Sequence, residues 1–497
     1  MVQLRFRTIA LLLSATLTGC AVGPNFHPPA LPHTQSYTAC YLPLHTVSSP
    51  GPGGAAQHFL PCQNIPAQWW TLFRSPELNE LICRGLANSP TLKAGQAALR
   101  QAQENLVAQI GSTLLPTIDA QATAERERFS ATTLGVERAP GQVFNLYNTS
   151  VNVSYTLDVF GGLRRQAEAV SALMDNSNFE LEATYLTLTA NIVTTAITEA
   201  SLRAQIEATH QLIAAQASEV NIVRQQLRLG GTSMVDVLAQ ETQLAQLQAT
   251  LPPLEKNLEQ THHALAVLVG DLPSESQLPC IDLNKLHLPT ELPISMPSLL
   301  VRQRPDVRAA EALLHQASAQ IGVATANLLP QFPLTASYGV EANIPRDLFT
   351  PDAVVATLIG QVAQPIFHGG ALIAQRKGAI AAYCQAYDQY RQTVLQGFQN
   401  VADSLRAVQI DAVALRDETQ AEIAAKGSLD LTRAQMRLGG VDYLALLNAQ
   451  RQYQQTRIAR IQAQAARYTD TAALFQSLGG GWWNRGPLPC KCGIKGI

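Results

Sequence analysis

The feature that most limits what this chain can fold into is that it contains itself twice. Arg228-Leu229-Gly230-Gly231 returns 209 positions later as Arg437-Leu438-Gly439-Gly440. Val235 to Gln240 is matched by Leu444 to Ala449, Phe160-Gly161-Gly162 by Phe367-His368-Gly369-Gly370, and Leu115-Pro116 by Leu329-Pro330. The landmarks keep their order, and the offsets of the glycines and of the Leu-Pro pair stay between 208 and 214, which a tandem duplication explains and chance similarity of low-complexity helices does not. Each copy reads as a helix, two strands, a very long helix, a Gly-Gly turn and another long helix. The first copy is expected over 76–296 and the second over 297–478, with Pro297 to Pro305 at the joint and a tail at 479–497.

The helical parts follow from spacing and composition. Leu202, Ile206, Thr209, Ile213, Gln216, Val220, Val223 and Leu227 recur every four and three residues, a partly polar 3.5-residue seam. Leu247, Leu251, Leu254, Leu258 and Leu265 carry the same rhythm after Gly230-Gly231 ends the first helix. An antiparallel hairpin is therefore expected over about 163–271, and its second-copy equivalent over about 370–478. Runs rich in Ala and Gln, such as Gln101 to Gln109 and Gln450 to Gln464, favour helix with small or uncharged side chains, so these helices can pack closely and still face water. The helices alone fit a plain coiled-coil rod as well as the wall of a tunnel.

The strands separate those two readings. Thr117 to Phe129 alternates loosely, and Asn145 to Phe160 more clearly, with Val151, Val153, Tyr155, Leu157 and Val159 on one side. In the second copy the equivalents are Gln331 to Asn343, where Phe332, Leu334, Ala336, Tyr338 and Val340 share a face, and Val354 to Phe367. No stretch after the leader holds 18 uninterrupted apolar residues, whereas strands of roughly 9 to 11 residues with an apolar face suffice for a barrel wall. Four strands close no useful pore, and open sheet edges are not tolerated in lipid, so closure has to come from further copies of the chain.

At the N-terminus, Arg5 and Arg7 precede an apolar run from Thr8 to Leu17, the length of a signal-peptide core and too short to span a bilayer. The run ends in Leu17-Thr18-Gly19-Cys20, which resembles a bacterial lipobox. Residues 1–19 are then a signal peptide, and Cys20 begins the mature chain with a diacylglycerol and an N-palmitoyl group, followed by a lipidated segment over 20–75. Ala21 stands where aspartate would favour inner-membrane retention, so the expected destination is the outer membrane. Seven cysteines remain: Cys40, Cys62, Cys83, Cys280, Cys384, Cys490 and Cys492. Their number is odd, so one at least stays unpaired, and Cys40 with Cys62 is the preferred disulfide. A net charge of -2 with 14% charged residues offers no basic surface for nucleic acid. The ten histidines are scattered and no Cys-x-x-Cys pair occurs, so no metal site is expected.

With these landmarks in place, the chain resembles the TolC superfamily, and more closely its NodT-type efflux lipoproteins, over nearly the whole mature sequence. Trp69-Trp70, Phe73 and Pro76-Glu77-Leu78 are similar to the N-terminal signature of that family, and Leu300-Val301-Arg302-Gln303-Arg304-Pro305-Asp306-Val307-Arg308-Ala309-Ala310-Glu311 resembles its most distinctive motif. The resemblance implies an α+β membrane protein: a homotrimer whose twelve strands, four per chain, close one β-barrel continuous with a long α-helical coiled-coil tunnel through the periplasm. It places Pro297 to Arg304 in an equatorial belt, the loops Ser130 to Gln142 and Ile344 to Asp352 outside the cell, and the turns at Gly230, Gly231, Gly439 and Gly440 at the periplasmic tips facing an adaptor protein.

Carried over by position, the constriction of the closed tip falls on Leu444, Asn448 and Arg451, with Asp442 and Tyr443 beside them. Relatives often carry aspartate at the position of Asn448. Three copies of this chain would therefore lack that ring of negative charge, and a polar or apolar gate is expected. The implied partners are outer-membrane lipid, a periplasmic adaptor and an inner-membrane RND-type pump. The implied function is a passive exit duct for drugs or other toxic small molecules. No GxxxxGK[ST], HExxH or GxSxG motif occurs, so neither an enzyme nor a cofactor beyond the lipid is expected. A type I protein-secretion duct of the same superfamily and a lipid-anchored coiled-coil scaffold of the envelope are the alternatives.

Overall fold

The computed structural model describes residues 21–32, 34, 36–39, 42–129 and 142–485. The signal peptide, Cys20, Cys40, Cys490, Cys492, the loop expected at 130–142 apart from its last residue, and the end of the tail lie outside the described residues. In chain order the elements are β1 (His58–Pro61), α1 (Pro76–Asn88), α2 (Pro90–Leu114), β2 (Thr117–Phe129), β3 (Gln142–Leu157), α3 (Gly162–Arg228), α4 (Met234–Ala249), α5 (Leu251–Val269), β4 (Glu291–Ile294), α6 (Pro297–Gln303), α7 (Pro305–Ala326), β5 (Phe332–Ala342), β6 (Val354–Gly360), α8 (Ala371–Arg437) and α9 (Tyr443–Ser477). The duplication is visible in α3 and α8, each 67 residues long and each ending on an arginine before a Gly-Gly turn.

Two compact units share the chain. One takes residues up to Pro29, Ala98–Asn178 and Ala309–Arg391, and it holds a four-stranded antiparallel sheet in the order β2-β3-β5-β6. Its register sorts side chains by polarity. Ile118, Val153, Ala336 and Leu358 form one cross-strand row, and Ala120, Val151, Tyr338 and Ala356 form the next row on the same face. The alternate rows are Thr117, Ser154, Thr335 and Ile359, then Asp119, Asn152, Ser337 and Thr357. Because successive strand residues point to opposite faces, one face of this sheet is apolar and the other mostly polar. The outer strands β2 and β6 have no further strand beside them among the described residues, and every residue of β6 is exposed.

The strand bounds shift from those expected. β3 begins at Gln142, inside the stretch expected to be loop, and ends at Leu157, which leaves Val159 outside it. β6 stops at Gly360, seven residues short of Phe367; one further bridge joins Ala363 to Gln331, after which Pro365 has no N–H to give a ladder and Gly369 and Gly370 turn the chain into α8 at positive φ.

The second unit takes Ala30–Ala97, Phe179–Arg308 and residues from Gln392 onward. Its core is built on the aromatic signature: Trp69 stacks on Phe475 at 5.6 Å, Phe73 faces Tyr468, and Ile65, Leu78, Leu81 and Ile82 are fully buried around them. Arg304 explains the chemistry of the Arg-Pro-Asp motif. Its guanidinium makes a fork onto Asp306 at 3.0 and 2.7 Å and donates to the Ser477 carbonyl at 2.7 Å, so the start of α7 is fixed to the end of α9. Arg467, wholly buried, donates to the carbonyls of Gly53 and Ala55 and to the Thr46 hydroxyl, which seats the loop before β1 on α9.

Three details of this unit depart from the sequence reading. The first-copy return helix is not continuous: α4 ends at Ala249, Thr250 closes it, and α5 starts with Pro252 and Pro253 in its first turn, where their missing N–H groups do no harm. The seam of α3 is buried at Thr209, Gln216, Val220 and Val223, but upstream the buried stripe runs one residue earlier, through Ser201, Gln205 and Ala208. Cys62 is a free, exposed thiol, so it does not pair with Cys40; Cys83, buried on α1, is the disulfide-bonded cysteine of the described set. Cys62 sits at φ 65° at the end of β1, a conformation set by the strand's exit turn and not by a crosslink. A parallel pairing of β1 with β4, His58 opposite Glu291, was also not foreseen.

Candidate functional site at the paired Gly-Gly turns

The two turns are built alike. Gly230 and Gly439 both adopt φ 75°, where a side chain would be strained even though a Cβ at either position would meet nothing within 4 Å. Gly231 N–H donates to the Gln226 carbonyl at 2.8 Å and Gly440 N–H to the Gln435 carbonyl at 2.9 Å, the six-to-one bond that closes a helix end. The next helix is capped at once. Ser233 and Asp236 cap α4 reciprocally, and the Ser233 hydroxyl holds the Asp236 carboxyl below the usual carboxylate range. Asp442 caps α9 by accepting from Ala445 N–H at 2.9 Å. Leu229 and Leu438, at the apices, are each 87% exposed.

The five residues expected at the constriction fall on the first turns of α9 and divide into two sets. Leu444 and Asn448 are exposed and point away from buried Leu446, Leu447 and Gln450. Tyr443 and Arg451 are tied to the first copy instead: the Tyr443 hydroxyl donates to the Gln226 side chain on α3, and Arg451 Nε donates to Gln243 Oε1 on α4 at 2.8 Å. Partial burial pushes the Tyr443 phenol above its ordinary pKa, so it remains a donor at neutral pH. Asp442 is a helix cap in this arrangement, since its carboxylate is spent on a backbone N–H.

Sequence reading missed the first-copy partners. Arg433 pairs with Glu219 at 3.2 Å and Arg457 donates to Gln211, while inside the first-copy hairpin Gln216 Nε2 donates to Gln240 Oε1 at 2.6 Å. Behind these bonds lies a cavity of about 100 Å³ whose walls include Gln216, Gln243, Arg433 and Gln450. The joint between the two helical hairpins is thus polar and loosely filled, with both side-chain amide atoms of Gln450 buried and unpartnered among the described residues. Such groups cost about 1–3 kcal/mol each when dry, so this packing is weaker than an apolar seam of equal length. The signal was present as the excess of glutamine along α3, α4 and α9, but composition does not say which glutamines meet.

No metal-binding cluster occurs among the described residues, and no helix of theirs is long and apolar enough to cross a membrane.

Comparison with known proteins places this geometry. The model of the outer membrane efflux protein family matches residues 81–271 and 296–480, one stretch in each copy. The chain is 29% identical over 461 residues to the pyoverdine export outer membrane protein OpmQ of Pseudomonas putida, covering 91% of this chain and 97% of that one. It is 26% identical over 477 residues to the cation efflux system protein CusC of Escherichia coli, covering 95% and 97%. The solved structure of the outer-membrane channel OprN superposes with a TM-score of 0.84 at 25% identity, covering 93% of this chain and all of that one.

Proposed function

The chain belongs to the outer membrane efflux protein family, and from that premise we propose that it is the outer-membrane channel-tunnel of a tripartite efflux pump. Its relatives are an outer membrane protein of pyoverdine export, a cation efflux system protein and an outer-membrane channel, and its own place is the outer membrane with the helical part in the periplasm. In this reading three copies join β6 of one to β2 of the next and close a barrel of twelve strands, with Cys20 lipidated. A periplasmic adaptor meets the turns at Gly230 and Gly439, and an inner-membrane pump supplies the energy. The duct itself needs no nucleophile and no cofactor.

The observation that carries the proposal is the sorted sheet. One face presents Ile118, Val153, Ala336 and Leu358 while the other presents Asp119, Asn152, Ser337 and Thr357, the pattern of a wall between lipid and water. Its two free edges would leave unpaired backbone groups in hydrocarbon, which only closure with other copies removes. A scaffold that crosses no membrane has no use for either feature.

The gate in this proposal is a ring of Leu444 and Asn448 projecting from three copies, held shut by the Tyr443 and Arg451 bonds to the first-copy hairpin. It lacks the anionic ring that aspartate would give. The test is planar-bilayer conductance of the detergent-extracted oligomer. Native protein should pass small currents that grow in Leu444→Ala and in Arg451→Ala; an oligomer that conducts in none of these forms overturns the proposal.

A further inference from the structure

We infer that Ala21 to Phe26 form a strap seated in a site built for it at the junction between β3 and α3, so that a lipid carried on Cys20 leaves the protein from one fixed place. The lipid end of this inference rests on the proposed lipidation; the seat stands on geometry alone. Val22 N–H donates to the Phe160 carbonyl at 2.9 Å. Arg165, only 4% exposed, donates to the Val22 carbonyl at 3.2 Å and to Asn25 Oδ1 at 2.6 Å, so one buried guanidinium grips the strap twice. The same guanidinium is neutralised by Glu168 at 2.7 Å, whose other oxygen lies 2.8 Å from His315 Nε2. Phe26 then stacks on the His315 ring, centroids 4.4 Å apart and planes 14° from parallel. The strap is held at both ends by a single chain of contacts, Val22 to Arg165 to Glu168 to His315 to Phe26.

Glycines make the room. A Cβ on Gly161, at φ 75°, would lie 2.5 Å from Ala21 Cα. One on Gly322 would lie 3.0 Å from the Val22 carbonyl oxygen, and one on Gly23 2.5 Å from Gly322 Cα. Backbone meets backbone at each of these points, which only glycine permits.

The duplication supplies the control. In the second copy the corresponding turn is Gly369-Gly370, where a Cβ on either glycine would meet nothing within 4 Å. The offset of 208 that carries Gly162 to Gly370 places Ile373 opposite Arg165 and Arg376 opposite Glu168, and Ile373 is 57% exposed. The grip is therefore confined to the one junction that has a strap to hold, and it is not a by-product of turning a strand into a helix.

The test is chymotrypsin cleavage after Phe26 in the purified full-length protein, with the mass of the released N-terminal fragment read at each time point. Residues 21–36 contain no other aromatic residue, so the fragment is unambiguous. Native protein should be cut slowly. Arg165→Ala, which removes both grips, and Asn25→Ala, which removes one from the strap side and leaves the seat untouched, should each be cut roughly tenfold faster, as expected when charge-assisted hydrogen bonds close a local opening. Gly370→Ala should match the native rate. Native protein cut as fast as the variants overturns the seat, and if Arg165→Ala does not fold, an unchanged rate in Asn25→Ala alone does so. A protected fragment without acyl mass would sink the lipid reading and keep the seat; an acylated fragment released equally fast from all forms would do the reverse.

Discussion

Arg451 on α9 donates from Nε to Gln243 Oε1 on α4 at 2.8 Å, a bond between residues 208 positions apart that joins the second-copy hairpin to the first just inside the tips. If this bond holds the duct shut, Arg451→Ala and Gln243→Ala should raise single-channel conductance to similar degrees. The double variant should add little to either, because residues sharing one bond are not additive. Independent, additive increases would show that each side chain acts through something else. Removing Tyr443, whose bond goes to Gln226 on α3, is expected to add to both.

Much of this joint was legible at the level of elements and little at the level of contacts. The glycine turns declare themselves because left-handed backbone has few substitutes, and the polarity of the sheet declares itself because a period of two is a strict constraint. The break at Thr250 was hidden by a leucine rhythm that runs straight through it: Pro252 and Pro253 fall in a first turn, where proline is compatible with helix. The β1 and β4 pairing was invisible because four-residue strands 233 positions apart carry no periodicity worth reading. The cysteine assignment failed for a related reason, since closeness in sequence chose Cys62, and the buried position of Cys83 on α1 was a fact of packing.

Asp411 on α8 gives a prediction in pH. Burial and the neighbouring Asp470 carboxylate push its pKa up to about 7, with Arg467 opposing, and its Oδ2 is buried without a donor among the described residues. A proton on Asp411 removes its repulsion with Asp470. The folded form thus binds more protons than the unfolded chain between about pH 4 and pH 7, and stability falls as pH rises through that window. Asp411→Asn should remove this slope. Thermal melting at pH 8 should rise by about one or two degrees over the native protein and the gap should close near pH 4; a constant gap at both pH values would refute the raised pKa of Asp411.

The exposed apices of Leu229 and Leu438 predict a division between folding and docking. Both directly follow the last residue of their helix and are 87% exposed, so Leu229→Asp and Leu438→Asp should change stability by less than about 0.5 kcal/mol. If an adaptor seats on the tips, an apolar contact there is lost and a charge is desolvated, and each variant should weaken co-purification of the cognate adaptor about tenfold or more. Unchanged co-purification in the double variant would move the adaptor surface away from the apices.

Val153 and Asn152 are adjacent on β3 and should respond in opposite ways to the same substitution. Val153 stands in the row with Ile118, Ala336 and Leu358, and Asn152 in the row with Asp119, Ser337 and Thr357. If the apolar face meets lipid, Val153→Arg sets a cation against lipid, at a cost that reaches about 2–4 kcal/mol at the bilayer midplane and falls toward the interfaces, repeated in every copy of the ring. Outer-membrane recovery of the heat-modifiable oligomer should then collapse. Asn152→Arg puts the same charge into a water-filled lumen, so assembly should survive, while a ring of cations shifts the channel toward anion selectivity. Should both variants assemble equally well, the apolar face does not meet lipid, and the sheet would have to be covered by protein. Should Asn152→Arg alone fail, the polar face is the buried one and the barrel is inside out relative to the proposal.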